Sequence, residues 1–463
     1  MYHESLYVAA PRFPSRRMLR FGLRRPVVAP LAAALAAASA AACGRDPVDP
    51  LPTTLGAARF AASTPITSRL ARPFYSDTLL AWQDTVFYWR DRVDMRAKAA
   101  DVRSRVAAAN THGALWNAAT ASIDQYLRPA PPGDRDEHSA YFPPDRAPGV
   151  VDSPADTERR FDVVGDTLSR ALAPGAGRVA YLYFPGYAGK TESRRADSTL
   201  AVIRAVDQAG PCGWVLDQRR NNGGNIAAMF SGLHPLIGDA PASSTQNGLG
   251  GFLFSDGSRG LLYLQSGRLG TYDRVANRRY AYDVAPTSPY ALRRPNSPVA
   301  ILTSGATASA GELIALAFRG SAVPHRTFGG NTYGVTTGPV GIYLLPDSGY
   351  LNITASIMFD RLGTTYGGIL PPDEPVAGPA PRDITPAGVL RNGDPVLAAA
   401  VRWLQAQPAC AGAAVASRAP SAERAAAPPA AARLPGVDRP ARLLERVGKY
   451  FVTGGAERAL DGR

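Results

Sequence analysis

Apolar and polar positions change period along the middle of the chain, and each change marks an element. Val299-Ala300-Ile301-Leu302 is a short, β-branched run bounded by Pro298 and Gly305, which predicts a buried strand. From Glu312 to Phe318 the spacing becomes helical. Residues 179–184 and 213–219 read as further strands, with helices predicted over 196–205 and from Ile226. A β-rich stretch covers 251–283, in which Gly251-Phe252-Leu253-Phe254 and Gly260-Leu261-Leu262-Tyr263-Leu264 either offer an edge for an extended peptide or belong to the core sheet. Earlier, Leu79-Leu80, Val86-Phe87, Val102, Val106 and Leu115-Trp116 recur at helical spacing up to Tyr126-Leu127, which predicts a small helical subdomain packed through its aromatics. Strands alternating with helices imply an α/β layered core.

The patterning also sets the organisation. Residues 1–43 carry Arg16, Arg17, Arg20, Arg24 and Arg25, then a mostly alanine segment ending in Ala40-Ala41-Ala42-Cys43-Gly44. A charged region, a short apolar region and small residues before a cleavage point predict a secretory signal, with Met18 as a possible internal start. Cys43 then falls where a bacterial lipoprotein is acylated, although Ala40 stands where such sites favour Leu. Export to the cell envelope, periplasmic or lipid-anchored at Cys43, is the expectation. A Pro-, Ala- and Thr-rich tether is predicted over 44–75, the helical subdomain over 76–150 and the core over 151–410. An Ala-, Pro- and Arg-rich tail follows over 411–463.

Candidate chemistry concentrates in three segments. Thr307-Ala308-Ser309-Ala310-Gly311-Glu312 places a hydroxyl among small residues between the predicted strand and helix. At such a turn a nucleophile can project, and the unpaired N–H groups of the first helical turn can face an oxyanion. The same pattern also serves as a plain helix cap. Arg220-Asn221-Asn222-Gly223-Gly224 follows another strand, and its glycines let backbone N–H groups approach a ligand, although Asn and Gly also build simple turns. Asp136-Glu137-His138-Ser139-Ala140-Tyr141 supplies an imidazole. The chain has 5 histidines in 463 residues, so the choice of general base is narrow.

These blocks, in this order and joined by Gly329-Gly330-Asn331-Thr332-Tyr333-Gly334 leading to Pro372-Asp373, resemble the tail-specific, or C-terminal-processing, serine peptidase family over roughly residues 76–405. The resemblance implies a crotonase-like α/β core, a polypeptide substrate, Ser309 as nucleophile and backbone N–H groups near Gly224 and Ala310 as the oxyanion hole. One branch of that family uses a Lys base beyond the Ser, and the other a His from the N-terminal part supported by a carboxylate and hydroxyls. Here lysine is confined to Lys98, Lys190 and Lys449, and arginine cannot deprotonate at working pH. The His branch remains, with His138 as its match. His325, sixteen residues after Ser309, is the rival and is read as a loop residue beside Arg326; His234 is read as a packed or capping histidine. Glu374 and Asp373, with Asp360, are the candidates for the supporting carboxylate, while Glu312 is read as support for the helix start. The stretch between His138 and Tyr181 is too short for the PDZ module common in the processing branch.

Alternatives stay open: a ligand- or peptide-binding protein on the same fold without a working site, or a crotonase-type acyl-CoA enzyme. The net charge of +13 sits largely in the two ends, and no basic stretch is interleaved with aromatics, so no nucleic-acid partner is expected. No His, Cys or carboxylate cluster has metal-ligand spacing, so neither metal nor cofactor is expected. Cys212 and Cys410 either pair in an oxidising compartment or remain buried thiols.

Overall fold

The computed structural model describes residues 61–66, 71–128, 136–143, 179–187, 192–274, 277–281, 284–344, 349–384 and 393–411. The signal, the acylation site at Cys43, much of the tether and nearly all of the tail lie outside the described residues.

Three helices open the fold: α1 (Ala71–Val86), α2 (Met95–Ala108) and α3 (His112–Ser122), the last running into a π-turn at Ile123–Leu127. Asp94 caps α2 by accepting from Arg96 N–H and Ala97 N–H, and Thr111 caps α3 through Ala114 N–H. Spacing of three and four buries Tyr75, Leu79, Val102, Val106, Leu115 and Ala119 on facing sides. Lys98 is fully buried among them and is held by Asp84 at 2.5 Å. The helical region starts at Ala71, earlier than the expected 76, because Tyr75 already belongs to this core. Residues 61–66 also depart from a plain tether: Ile66 N–H donates to Asn110 O, and the N–H groups of His112 and Gly113 donate to Thr64 O and Ala62 O.

Two sheets follow. The parallel sheet has the order β13-β9-β8-β3-β2, built from β2 (Val179–Tyr183), β3 (Gly213–Asp217), β8 (Val299–Thr303), β9 (His325–Gly329) and β13 (Glu374–Pro375). Strands β2, β3 and β8 are buried along their whole length, which is why they read as continuous apolar runs. On one face Ala180, Leu182, Leu216 and Ile301 pack against α4 (Glu192–Asp207), α5 (Ile226–Ile237) and α6 (Ala310–Phe318). On the other, Tyr181, Val215, Ala300 and Leu302 pack against α7 (Pro395–Gln405).

The antiparallel sheet runs β1-β11-β4-β5-β6-β7, from β1 (Ala140–Phe142), β4 (Gly250–Phe254), β5 (Arg259–Gln265), β6 (Arg268–Asp273), β7 (Arg278–Ala281) and β11 (Gly349–Phe359). Strands β10 (Thr337–Leu344) and β12 (Thr365–Tyr366) also pair with β11. Phe252, Leu262 and Met358 join the cluster around α5 and α6, whereas Tyr141, Leu351 and Ile353 join the core of the N-terminal helices. This sheet therefore lies between the α/β core and the helical subdomain. The peptide edge considered for residues 251–264 is not there: β4 pairs with both β11 and β5, and β5 with both β4 and β6.

Cys212 and Cys410 are joined, with Cα atoms 4.9 Å apart, so the start of β3 is tied to the turn after α7. Among the described residues no helix is long and apolar enough to cross a membrane.

Candidate active site

Strand β8 ends at Thr303 and α6 begins at Ala310, so the turn between them fixes Ser309 as the helix cap. Ser309 adopts φ 51° and ψ −116°, a conformation that a residue with a Cβ occupies only under strain. Several bonds hold it. Ser304 Oγ donates to Arg219 O at 2.6 Å, Thr307 Oγ1 to Gln218 O at 2.9 Å, and Ala308 N–H to Asn221 O at 2.9 Å. The loop after β3 and the turn after β8 are thereby stitched together. Arg219 anchors the stitch from below, with two bonds to Asp217 at 3.0 and 2.7 Å and an ion-pair contact of 2.6 Å to Asp394 that lacks hydrogen-bond alignment.

The glycine loop lies against the serine. Asn221 Oδ1 accepts from Gly223 N–H at 3.0 Å, and a Cβ on Gly223, whose φ is +95°, would stand 2.8 Å from Ser309 Cβ and 3.1 Å from Ala310 N. Gly224 forms a parallel bridge with Tyr187 through Gly223 O and Asn225 N–H, which leaves its own N–H unused. Ala310 is the first residue of α6, where an N–H has no intrahelical acceptor. Among the described residues neither N–H group finds an acceptor. Glycine also allows a close approach at Gly311, where a Cβ would meet Asn221 O at 2.6 Å.

His138 arrives from the other sheet. Asp136 Oδ1 accepts from Ser139 N–H at 3.0 Å and from Thr354 Oγ1 at 2.5 Å, which folds the segment into a turn; burial pushes this carboxyl up. Thr354 N–H donates to Ser139 Oγ, and Asn352 Nδ2 donates to His138 O at 2.7 Å, so β11 holds the segment at both ends. The imidazole Nε2 then stands 3.2 Å from Ser309 Oγ, and Nδ1 stands 2.6 Å from Thr337 Oγ1. His138 is partly buried, and removal of its ring from water pushes its pKa down to about 4, so it is neutral at pH 7.

The remaining candidates lie elsewhere. Asp373 Oδ2 accepts from Thr327 N–H and Oγ1, both at 2.8 Å, and Glu374 pairs with Arg326 at 3.5 Å. Asp360 accepts from Leu362 N–H, Thr364 N–H and Tyr366 OH. An imidazole has two nitrogens, and both of His138's face hydroxyls, so neither Asp373 nor Glu374 orients it. Thr337 occupies that place and was not singled out by the sequence: a Thr at a strand start carries no signal until the register places it. His325 opens β9 rather than a loop, and its Nδ1 faces Val323 O at 2.9 Å. His234 is packed as expected, with Ser231 O at Nδ1 and Tyr290 N–H at Nε2. Glu312 does more than start a helix. It is fully buried, accepts four hydrogen bonds, and burial pushes its pKa up to about 7.

A hydroxyl beside a neutral imidazole, with two unused N–H groups on the adjoining turns, is an arrangement able to carry out acyl transfer. The chain is similar to several known proteins. The chain is 25% identical over 218 residues to a nisin-resistance protein from Lactococcus lactis subsp. lactis, a match covering 45% of the chain and 60% of that protein. A lipoprotein structure from Streptococcus agalactiae is 17% identical with a TM-score of 0.46, covering 66% of this chain and 92% of the other. A photosystem II D1 C-terminal processing protease is 14% identical with a TM-score of 0.41, covering 69% and 96%. The family model of peptidase S41 matches residues 178–376, the segment that holds Ser309, the glycine loop and Thr337. Over that segment, somewhat less than half of its length, the chain is similar to peptidase family S41.

Proposed function

We propose that the protein is an exported serine-type endopeptidase that hydrolyses polypeptides through an acyl-enzyme. The observation that carries this reading is the 3.2 Å contact between His138 Nε2 and Ser309 Oγ, made by residues 171 positions apart. In the working tautomer Nδ1–H donates to Thr337 Oγ1, which leaves the Nε2 lone pair for the Ser309 proton. Ser309 Oγ attacks the peptide carbonyl as that proton passes to Nε2. The N–H groups of Gly224 and Ala310 hold the oxyanion. Collapse breaks the C–N bond, and the imidazolium gives its proton to the departing amine. Water, deprotonated by the same nitrogen, then releases the acyl group and restores the Ser309 hydroxyl.

Export is supported by the Cys212–Cys410 bond, which suits an oxidising compartment, and by the signal-like pattern ending at Cys43. Cys43→Ser should move the protein from the membrane fraction to the soluble one. The decisive experiment for the chemistry is Ser309→Ala. Turnover of denatured casein and labelling by a serine-directed phosphonate should both vanish while the melting transition stays cooperative. Surviving turnover would reject the nucleophile, whereas peptide retention without turnover in the unmutated protein would favour a binding protein.

A further inference from the structure

Ser309 and His138 come from different layers, so their separation has to be set by something that touches both sides. Glu312 stands at that junction. Its Oε2 accepts from Ser309 N–H at 2.8 Å and Val335 N–H at 2.9 Å; its Oε1 accepts from Gly334 N–H at 3.0 Å and Thr332 Oγ1 at 2.5 Å. Two residues beyond Val335 comes Thr337, whose hydroxyl faces His138 Nδ1. One carboxylate thus bonds the main chain of the nucleophile and the main chain that delivers the imidazole's support. Three of its four donors are N–H groups, which cannot turn round. A proton on Oε2 would point at Ser309 N–H or Val335 N–H. A proton on Oε1 would reverse the bond from Thr332, whose oxygen already accepts from Leu370 N–H at 2.9 Å.

We propose that ionised Glu312 is the positioning residue that keeps Ser309 and the Thr337 support of His138 in register, and that its protonation disengages the pair. The inference rests on the Ser309–His138 reading above. The groups that bond Glu312, from α6 and from the 332–335 loop, are uncharged, and the imidazole of His138 faces Ser309 and Thr337 instead. Burial pushes the carboxyl up to about 7, with its hydrogen bonds opposing, while desolvation pushes His138 down to about 4. Between those values the base is neutral and ready, yet Glu312 takes up a proton. The acid limb of activity therefore belongs to the carboxylate and lies near neutrality.

The test follows the rate of phosphonate labelling at Ser309 against pH in the full chain, with melting curves as a control for folding. Thr332→Val removes a donor that favours the ionised form, so the limb should move to higher pH by about one unit, a tenfold change in proton affinity. Glu312→Gln should abolish the limb near pH 7 and lower the plateau tenfold or more. A limb that stays in place in Thr332→Val overturns the proposal, even where the Gln variant fails to fold. The companion variant His138→Ala separates the two readings. If it labels as fast as wild type, the Ser/His pair itself is wrong; if it is slow while Thr332→Val and Glu312→Gln track wild type, only the role of Glu312 is.

Discussion

Thr337 shows how a hydroxyl can stand where a carboxylate is expected. It is almost fully buried and accepts one hydrogen bond from the imidazole, but it brings no charge to balance an imidazolium. Thr337→Val should therefore lower kcat about tenfold to a hundredfold with little change in KM, and Thr337→Ser should restore most of the loss. The two buried titratable groups also act on stability with opposite signs. Glu312 has a folded pKa above its ordinary 4.5, so its contribution is full below that value and is lost as pH rises through about 7. His138 has a folded pKa below its ordinary 6.5, so its contribution is full above that value and is lost as pH falls through about 4. Between pH 7 and 4 the two largely cancel. Relative to wild type, Glu312→Gln should lose stability over that interval and His138→Asn should gain it, as measured by chemical denaturation. Residue type and neighbours narrowed the sequence reading to Ser309 and His138, which lie 3.2 Å apart in the fold. Thr337 and the reach of Glu312 were not, since hydrogen-bond partners depend on strand register, and the acidic pair Asp373 and Glu374 turned out to bind Thr327 and Arg326.

At the scale of elements, the site is two strand-to-helix connections sewn edge to edge. Both leave the parallel sheet, from adjacent strands β3 and β8. The loop from β3 contributes Gly223, which the serine turn leaves no room to enlarge. Gly223→Ala would put a methyl within 2.8 Å of Ser309 Cβ at a φ of +95°, so kcat/KM should fall at least about a hundredfold. The same variant should lose about 1–3 kcal/mol of stability for its backbone conformation alone. The strands β2, β3 and β8 were readable because burial on both faces demands continuous apolar runs. The pairing of β10 and β11 was not readable, although it carries Thr337 to the imidazole and Asn352 and Thr354 to the segment that holds it. Asn352 and Thr354 within Gly349–Phe359 spend polar atoms on the His138 segment, a partnership that the alternating pattern of the strand does not disclose.

The whole molecule is layered: α7, the parallel sheet, the helices α4 to α6, the antiparallel sheet and the N-terminal helices. The Cys212–Cys410 bond closes a separation of 198 residues, which by chain entropy is worth up to about 5 kcal/mol. Cys410→Ser should lower Tm by several degrees, and alkylation without reductant should leave Cys212 and Cys410 of the native chain unlabelled. The layered architecture was legible from the alternation of periods. The location of the helical subdomain was not, because its docking on the antiparallel sheet shows only in long-range contacts, the pairing of β1 with β11 and the packing of Leu351 and Ile353 against the helices.

On the proposed mechanism, that docking also decides when activity can begin. The alcohol and the ring belong to halves that meet only after the last strands have found their places, with 171 positions of chain between them. If the Ser309–His138 pair is the working site, a nascent or still unfolded copy is chemically harmless to its maker. On that reading, reactivity arrives with the completed shape and leaves with it.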